Sequence, residues 1–102
     1  IIMAQEQTAV RERQRQSIKK PELYQIIINN DDVTPMDFVI DILETVFFKL
    51  RKDAETIMLK AHREGRAVVG VYSYDVAKSK LQRAQSIIHK THYPLELTLE
   101  PA

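Results

Sequence analysis

Three polar residues in a row, Asn30-Asp31-Asp32, stand between a run of isoleucines and a Thr34-Pro35 step. Residues of these types ordinarily close a turn and place acids at a helix N-terminus. The signal is not specific to a ligand by itself. A second feature is Met58 with His62, four residues apart and so on one face of a helix. Methionine on such a face is ordinarily core. A lone histidine there is ordinarily a boundary residue.

Catalytic chemistry is poorly supplied. The only glycines, Gly65 and Gly70, cannot make a phosphate-cradling loop. There is no cysteine, which removes disulfides and thiolate chemistry. His62, His89 and His92 lack the spacing and partners of a metal site, and His89 and His92 fit the C-terminal end of a helix. Asp31 and Asp32 could pair with His62, but no nucleophile is recognisable beside them, and Ser73 reads as a helix cap. The expectation is a binding protein, not an enzyme, with no metal and no cofactor.

These residues need elements to position them. Leu23-Tyr24-Gln25-Ile26-Ile27-Ile28 reads as a strand, halted by the turn formers Asn29 to Asp32. Thr34 as N-cap, Pro35 at the first helical position and Asp37 in the first turn then open a helix. Its apolar stripe runs through Val39, Leu43, Val46 and Leu50, widened by Phe38, Ile42 and Phe47. A second helix is expected over Asp53 to Glu64, with Ala54, Ile57, Met58 and Ala61 inward and Gly65 as its stop. Ala67 to Tyr72 reads as a strand, and Ser73 caps a third helix with Val76, Ala77, Leu81, Ala84 and Ile88 inward. After Pro94, Leu95 to Glu100 alternates as an edge or half-exposed strand does. The expected fold is α+β, in the order β-α-α-β-α-β, with three helices on one face of a three-stranded, mostly antiparallel sheet.

Residues 1–20 are rich in Gln, Arg and Glu, with little to bury, and read as a flexible arm or a short frayed helix. Residues 21–102 form the expected core domain, a single domain being what 102 residues suggest. The net charge of +1 hides an asymmetry, since the arm carries Arg11, Arg13, Arg15, Lys19 and Lys20 against Glu6 and Glu12. The rest is slightly acidic, without the basic footprint of a nucleic-acid binder. No apolar run approaches the roughly 18 residues of a membrane span, and Ile1 to Gln5 lack the apolar core of a signal peptide. A cytoplasmic protein with no membrane partner is the expectation, and nothing demands more than a monomer.

The block Asn29-Asn30-Asp31-Asp32-Val33-Thr34-Pro35-Met36-Asp37-Phe38-Val39 closely resembles the signature of the ClpS family, adaptors of the bacterial Clp protease. The likeness continues through Ile57-Met58-Leu59 with His62, then Gly65, Gly70-Val71-Tyr72, Val76-Ala77 with Lys80, and His92-Tyr93-Pro94-Leu95. It covers the chain from Pro21 onward and leaves out the arm. The resemblance implies recognition of N-degrons, substrates beginning with Leu, Phe, Tyr or Trp, and their delivery to the AAA+ unfoldase ClpA, which feeds ClpP. It implies that Asn30, Asp31 and His62 hold the α-amino group. Thr34, Met36, Val39, Met58, Ala61 and Leu95 would surround the first side chain, with Asp32 at the rim. It further implies unfoldase docking at Asp75 and Lys80, both expected to be solvent-exposed.

Two positions depart from the pattern. Ala61 stands where many relatives carry a larger aliphatic residue, and Val33 where an aromatic is common. Two other readings remain open at this point: a ribosome- or nucleic-acid-associated α/β module, and a ClpS paralogue with a narrower set of degrons.

Overall fold

The computed structural model describes residues 22–102, so the expected arm over 1–20 lies outside the described residues. Six elements follow in the expected order: β1 (Leu23–Asn29), α1 (Met36–Thr45), α2 (Arg51–Glu64), β2 (Arg66–Ser73), α3 (Tyr74–His89) and β3 (Glu96–Pro101). The sheet order is β2-β1-β3, and both pairings are antiparallel. The isoleucine run is therefore the middle strand, hydrogen-bonded on both sides.

The middle position explains three consecutive buried isoleucines. Successive side chains of a strand point to opposite faces. Ile26 and Ile28 join the main core with Ala67 and Val69 of β2, Leu97 of β3, Val39, Ile42 and Leu43 of α1, and Ala77, Ala84 and Ile88 of α3. The register shifts between Ile26, opposite Gly70, and Ile27, opposite Val68. Val69 is thus the extra residue of a β-bulge, and Ala67 and Val69, two apart on the strand, are both buried.

Ile27 points to the face without helices, yet is only 2% exposed. Arg66 sits opposite Asn29 and Glu100 opposite Gln25, one on each flanking strand. The Arg66 guanidinium donates to both carboxylate oxygens of Glu100 at 2.8 Å, so the pair crosses β1 over Ile27. An exposed pair of this kind contributes at most about 1 kcal/mol by charge. The aliphatic stems of such long side chains can lie along apolar surface while their charged ends stay in water.

Ala54, Ala61, Ala77 and Ala84 are all buried. Small residues at these contacts let α2 and α3 approach their neighbours closely, since interhelical distance follows side-chain size. Gly65 ends α2 in the left-handed region at φ 89°, with its N–H bonded to the Ala61 carbonyl at 2.8 Å. Glycine meets no steric penalty there, as its position after Glu64 suggested.

The helix limits and some faces differ from the expectation. α1 stops at Thr45, because α2 already starts at Arg51 and the chain must reverse between them. Phe48 takes φ 53°, and the Lys49 N–H closes on the Leu43 carbonyl. Leu50 consequently leaves the apolar stripe: it precedes α2 in extended backbone and is 74% exposed. Thr34 does not cap α1. Pro35 occupies the N-cap, and the Thr34 side chain turns to Asp31 instead. Ser73 stands at the N-cap of α3 but makes no capping hydrogen bond. Val76 is exposed, because Ala77, Ala84 and Ile88 already fill the inward stripe of α3.

Leu43 is fully buried within the main core. We expect Leu43→Ala to destabilise the domain by about 2–5 kcal/mol, read as a lower denaturation midpoint at unchanged slope. A loss well under 1 kcal/mol would mean that the core relaxes around the missing atoms.

Candidate functional site

Where β1 ends, the backbone N–H of Asn30 bonds to the Gly65 carbonyl at 2.9 Å. This adds one rung beyond the Asn29–Arg66 pair and sets the polar loop beside the end of α2. The next residue fixes the loop. One Asp31 oxygen, Oδ1, accepts the N–H groups of Val33 (2.9 Å) and Thr34 (2.6 Å). The other, Oδ2, accepts the Thr34 hydroxyl at 2.8 Å. Burial would raise the Asp31 pKa, but the hydrogen bonds from Thr34 and Val33 outweigh it and hold the carboxyl below its ordinary value.

On the other side of the cleft, His62 lies in the last turn of α2. Met58 is one turn earlier and half-buried. Beyond them Leu95 is held by the segment entering β3. The Thr91 hydroxyl donates to the Ile88 carbonyl at 2.6 Å and accepts the Tyr93 N–H at 3.2 Å. The Tyr93 ring meets Phe38 of α1 edge-on, with centroids 4.9 Å apart. An edge-to-face pair of this sort stabilises by about 0.5–1.5 kcal/mol beyond its buried area.

Between these parts opens a cleft of about 390 Å³, counting the space at its mouth. Its polar end is Asn30, Asp31 and His62. Its apolar wall is Val39, Met58, Ala61 and Leu95, with Thr34 and Met36 also lining it. Met36 is 55% exposed and so stands at the opening. Every residue expected around the pocket is brought together here except Asp32, which is exposed and does not line the cleft. Ile28 and Asn29, which the sequence reading missed, also line it. Their only signal was adjacency: a strand that delivers Asn30 to a cleft also presents the residues just before it.

Chemically the arrangement suits a small amphipathic cation. The polar end offers acceptors, and the C-terminal end of α2 adds the partial negative charge of a helix terminus. The apolar wall offers flexible and branched aliphatic surface. Among the described residues no three of histidine, aspartate or glutamate gather as metal ligands, and none of the helices there is long and apolar enough to cross a membrane.

Asp75 and Lys80 lie elsewhere, on α3, and neither lines the cleft. Asp75 is exposed as expected, but Lys80 is half-buried. Its ammonium donates to the Val46 carbonyl at 3.2 Å and sits 4.5 Å from the Phe48 ring centre. The expectation of two open charges holds for Asp75 alone, because the chain reversal after α1 brings a carbonyl and an aromatic ring against Lys80. Five residues apart on a helix, the two do not share a face.

Residues 19–98 match the family model of the ATP-dependent Clp protease adaptor protein ClpS. An ATP-dependent Clp protease adapter protein ClpS from Acetivibrio thermocellus is 46% identical over 96 residues, spanning 94% of this chain and 97% of that one. A protein of the same name from Burkholderia cenocepacia is 40% identical over 102 residues, covering 100% of this chain and 98% of the relative. Among solved structures, Agrobacterium tumefaciens ClpS2 bound to L-phenylalaninamide superposes with a TM-score of 0.78 at 37% identity, covering 81% of this chain and 100% of that one.

The Asp31 geometry has a consequence for stability against pH. Its folded-state pKa is depressed, so the carboxylate stabilises the fold at neutral pH and that stabilisation is lost as pH falls through the folded value. We expect the melting-temperature gap between the wild type and Asp31→Asn to be widest near neutrality and to shrink below pH 3.8, the ordinary carboxyl value. A gap independent of pH would show that the three bonds do not favour the ionised form.

Proposed function

The chain belongs to the ClpS family of ATP-dependent Clp protease adaptors, and from that premise we propose that its cleft captures the exposed first residue of substrate proteins. The observation that carries this reading is the division of one cleft into an acceptor-lined end and an apolar wall. An N-terminal residue has the same two parts, an ammonium group and a side chain on one carbon. The ligand of the Agrobacterium tumefaciens relative, L-phenylalaninamide, also combines a free α-amino group with an aromatic side chain, which supports the reading.

In this reading Asn30, Asp31 and His62 take the α-amino group, whose pKa near 7.7–8.0 keeps it mostly charged at neutral pH. Asp31 provides the charge-assisted acceptor and Asn30 a neutral carbonyl. An acetylated amine cannot satisfy them, and groups left without partners are costly. The side chain of Leu, Phe, Tyr or Trp enters between Val39, Met58, Ala61 and Leu95. Burying one Leu or Phe contributes roughly 1.5–3 kcal/mol. With the ammonium contacts, a micromolar affinity, about −8 kcal/mol, is the expected scale. Thr34 and Met36 at the opening disfavour a first residue branched at Cβ.

The chain is a non-catalytic adaptor in this proposal, acting as a monomer in the cytoplasm. The captured protein passes to the AAA+ unfoldase ClpA and is degraded by ClpP. Docking uses the start of α3, where Asp75 is accessible. Lys80, tied to Val46 and Phe48, shapes this surface more than it presents a separate charge.

Fluorescence anisotropy with peptides differing only at residue one tests the cleft. We expect Leu, Phe, Tyr and Trp to bind, Ile to bind more weakly, and N-acetyl-Leu and the Asp31→Ala variant to lose binding. Affinity should also decline as pH rises through the ligand's amine pKa, near 8. Equal binding of acetylated and free peptides, or of Ile and Leu, would overturn this account of the cleft. Docking has its own assay. Asp75→Lys should weaken association with the unfoldase and leave peptide affinity unchanged, and an unaffected association would remove Asp75 from the interface.

A further inference from the structure

Thr34 belongs to the cleft twice over. It lines the cavity, and it makes two of the three hydrogen bonds that Asp31 accepts, one from its N–H and one from its hydroxyl. An ionised carboxylate has about four lone-pair positions. Oδ1 is filled by the Val33 and Thr34 amides. Oδ2 already takes the Thr34 hydroxyl and retains room for about one more donor. The Thr34 hydroxyl therefore decides how the remaining acceptor position is oriented.

Resting on the amine-capture reading above, we infer that Thr34 is a positioning residue: its hydroxyl holds the Asp31 carboxylate so that Oδ2 presents its last lone pair to the ligand's ammonium. The geometry distinguishes this from an ordinary turn. Closing the loop requires only the two amides on Oδ1, which any residue at position 34 other than proline could supply. The hydroxyl bond to Oδ2 adds nothing to the backbone path, and it needs serine or threonine. A hydroxyl donor on Oδ2 also favours the charged carboxylate, the form that attracts an ammonium. Thr34 thus links the two ends of the cleft, its hydroxyl serving the acceptor and its methyl remaining for the apolar side.

The test compares Thr34→Val, which keeps the shape and removes the hydroxyl, with Thr34→Ser, which keeps the hydroxyl and removes the methyl. Thr34→Ala is a second hydroxyl-free variant without β-branching, and thermal melts establish that each variant is folded. Binding of a Leu-initiated peptide and its N-acetyl form is measured across acidic to neutral pH. We expect Thr34→Val and Thr34→Ala to bind the free-amine peptide roughly tenfold more weakly, the scale of one bond to a charged group. The pH at which binding fails on the acidic side should rise in both. Thr34→Ser should keep the wild-type acid limb and the wild-type ratio of free to acetylated affinity. If hydroxyl-free variants retain that ratio and that acid limb, the inference falls while amine capture stands. If the wild type itself does not discriminate against acetylation, the amine-capture reading falls and takes this inference with it.

Discussion

One backbone hydrogen bond, from the Asn30 N–H to the Gly65 carbonyl, sets the distance across the cleft. It lies just past the β1–β2 ladder and joins the loop that carries Asp31 to the residue that ends α2. Gly65 can stand there because its backbone is left-handed, a conformation that a residue with a Cβ adopts at a cost. The turn it makes sends the chain directly into β2 and leaves His62 in the final turn of the helix, facing the same opening as Asn30. The position of the two halves thus follows from a glycine that lines no part of the cleft.

The polar cluster after β1 closes a turn, and two of its residues, Asn30 and Asp31, also line the cleft. The bonds that Asp31 accepts from Val33 and Thr34 are those of a side-chain-closed turn. They also immobilise a carboxylate at the edge of the cavity before any ligand arrives. A side chain already fixed loses little freedom on binding, so more of each contact remains as affinity. The apolar wall is built differently. Met58 and Met36 keep rotatable thioether chains, which suits contact with side chains of different outline. Under the proposed capture of an N-terminal residue, stiffness at the charged end and compliance at the apolar end divide the two tasks of recognition.

Much of this fold is legible in the sequence because local signals and packing agree. The isoleucine run, the alternation from Leu95 to Glu100 and the glycine after Glu64 each identify an element by its own chemistry. The errors fall where packing decides between equal local signals. Leu50 continues an i, i+4 pattern, yet the reversal between α1 and α2 pulls it outward. Val76 has the right spacing for the core, but three smaller or better placed residues of α3 occupy it. Thr34 has the right type for a cap, but Pro35 takes the N-cap position and the Thr34 hydroxyl donates to Asp31. Lys80 reads as an ordinary surface cation until the chain folds a carbonyl and two aromatic rings around it. The site is legible by resemblance more than by physics, since neither Asp31 nor His62 announces a ligand by itself. Asp32 shares residue type and neighbourhood with Asp31 but is exposed and does not line the cleft.

The sheet face that carries no helix has a bearing on how molecules of this kind coexist at high concentration. Among the described residues, Leu23, Val68 and Val71 are exposed, and the two flanking strands each pair on one side only. Such a surface invites one copy to stack or zip onto another. The guanidinium–carboxylate bridge laid across Ile27 interrupts it with two hydrated charges at its middle. Its energetic worth to a single molecule is small. Between molecules, two hydrated charges at the middle of this face disfavour the stacking of one copy on another.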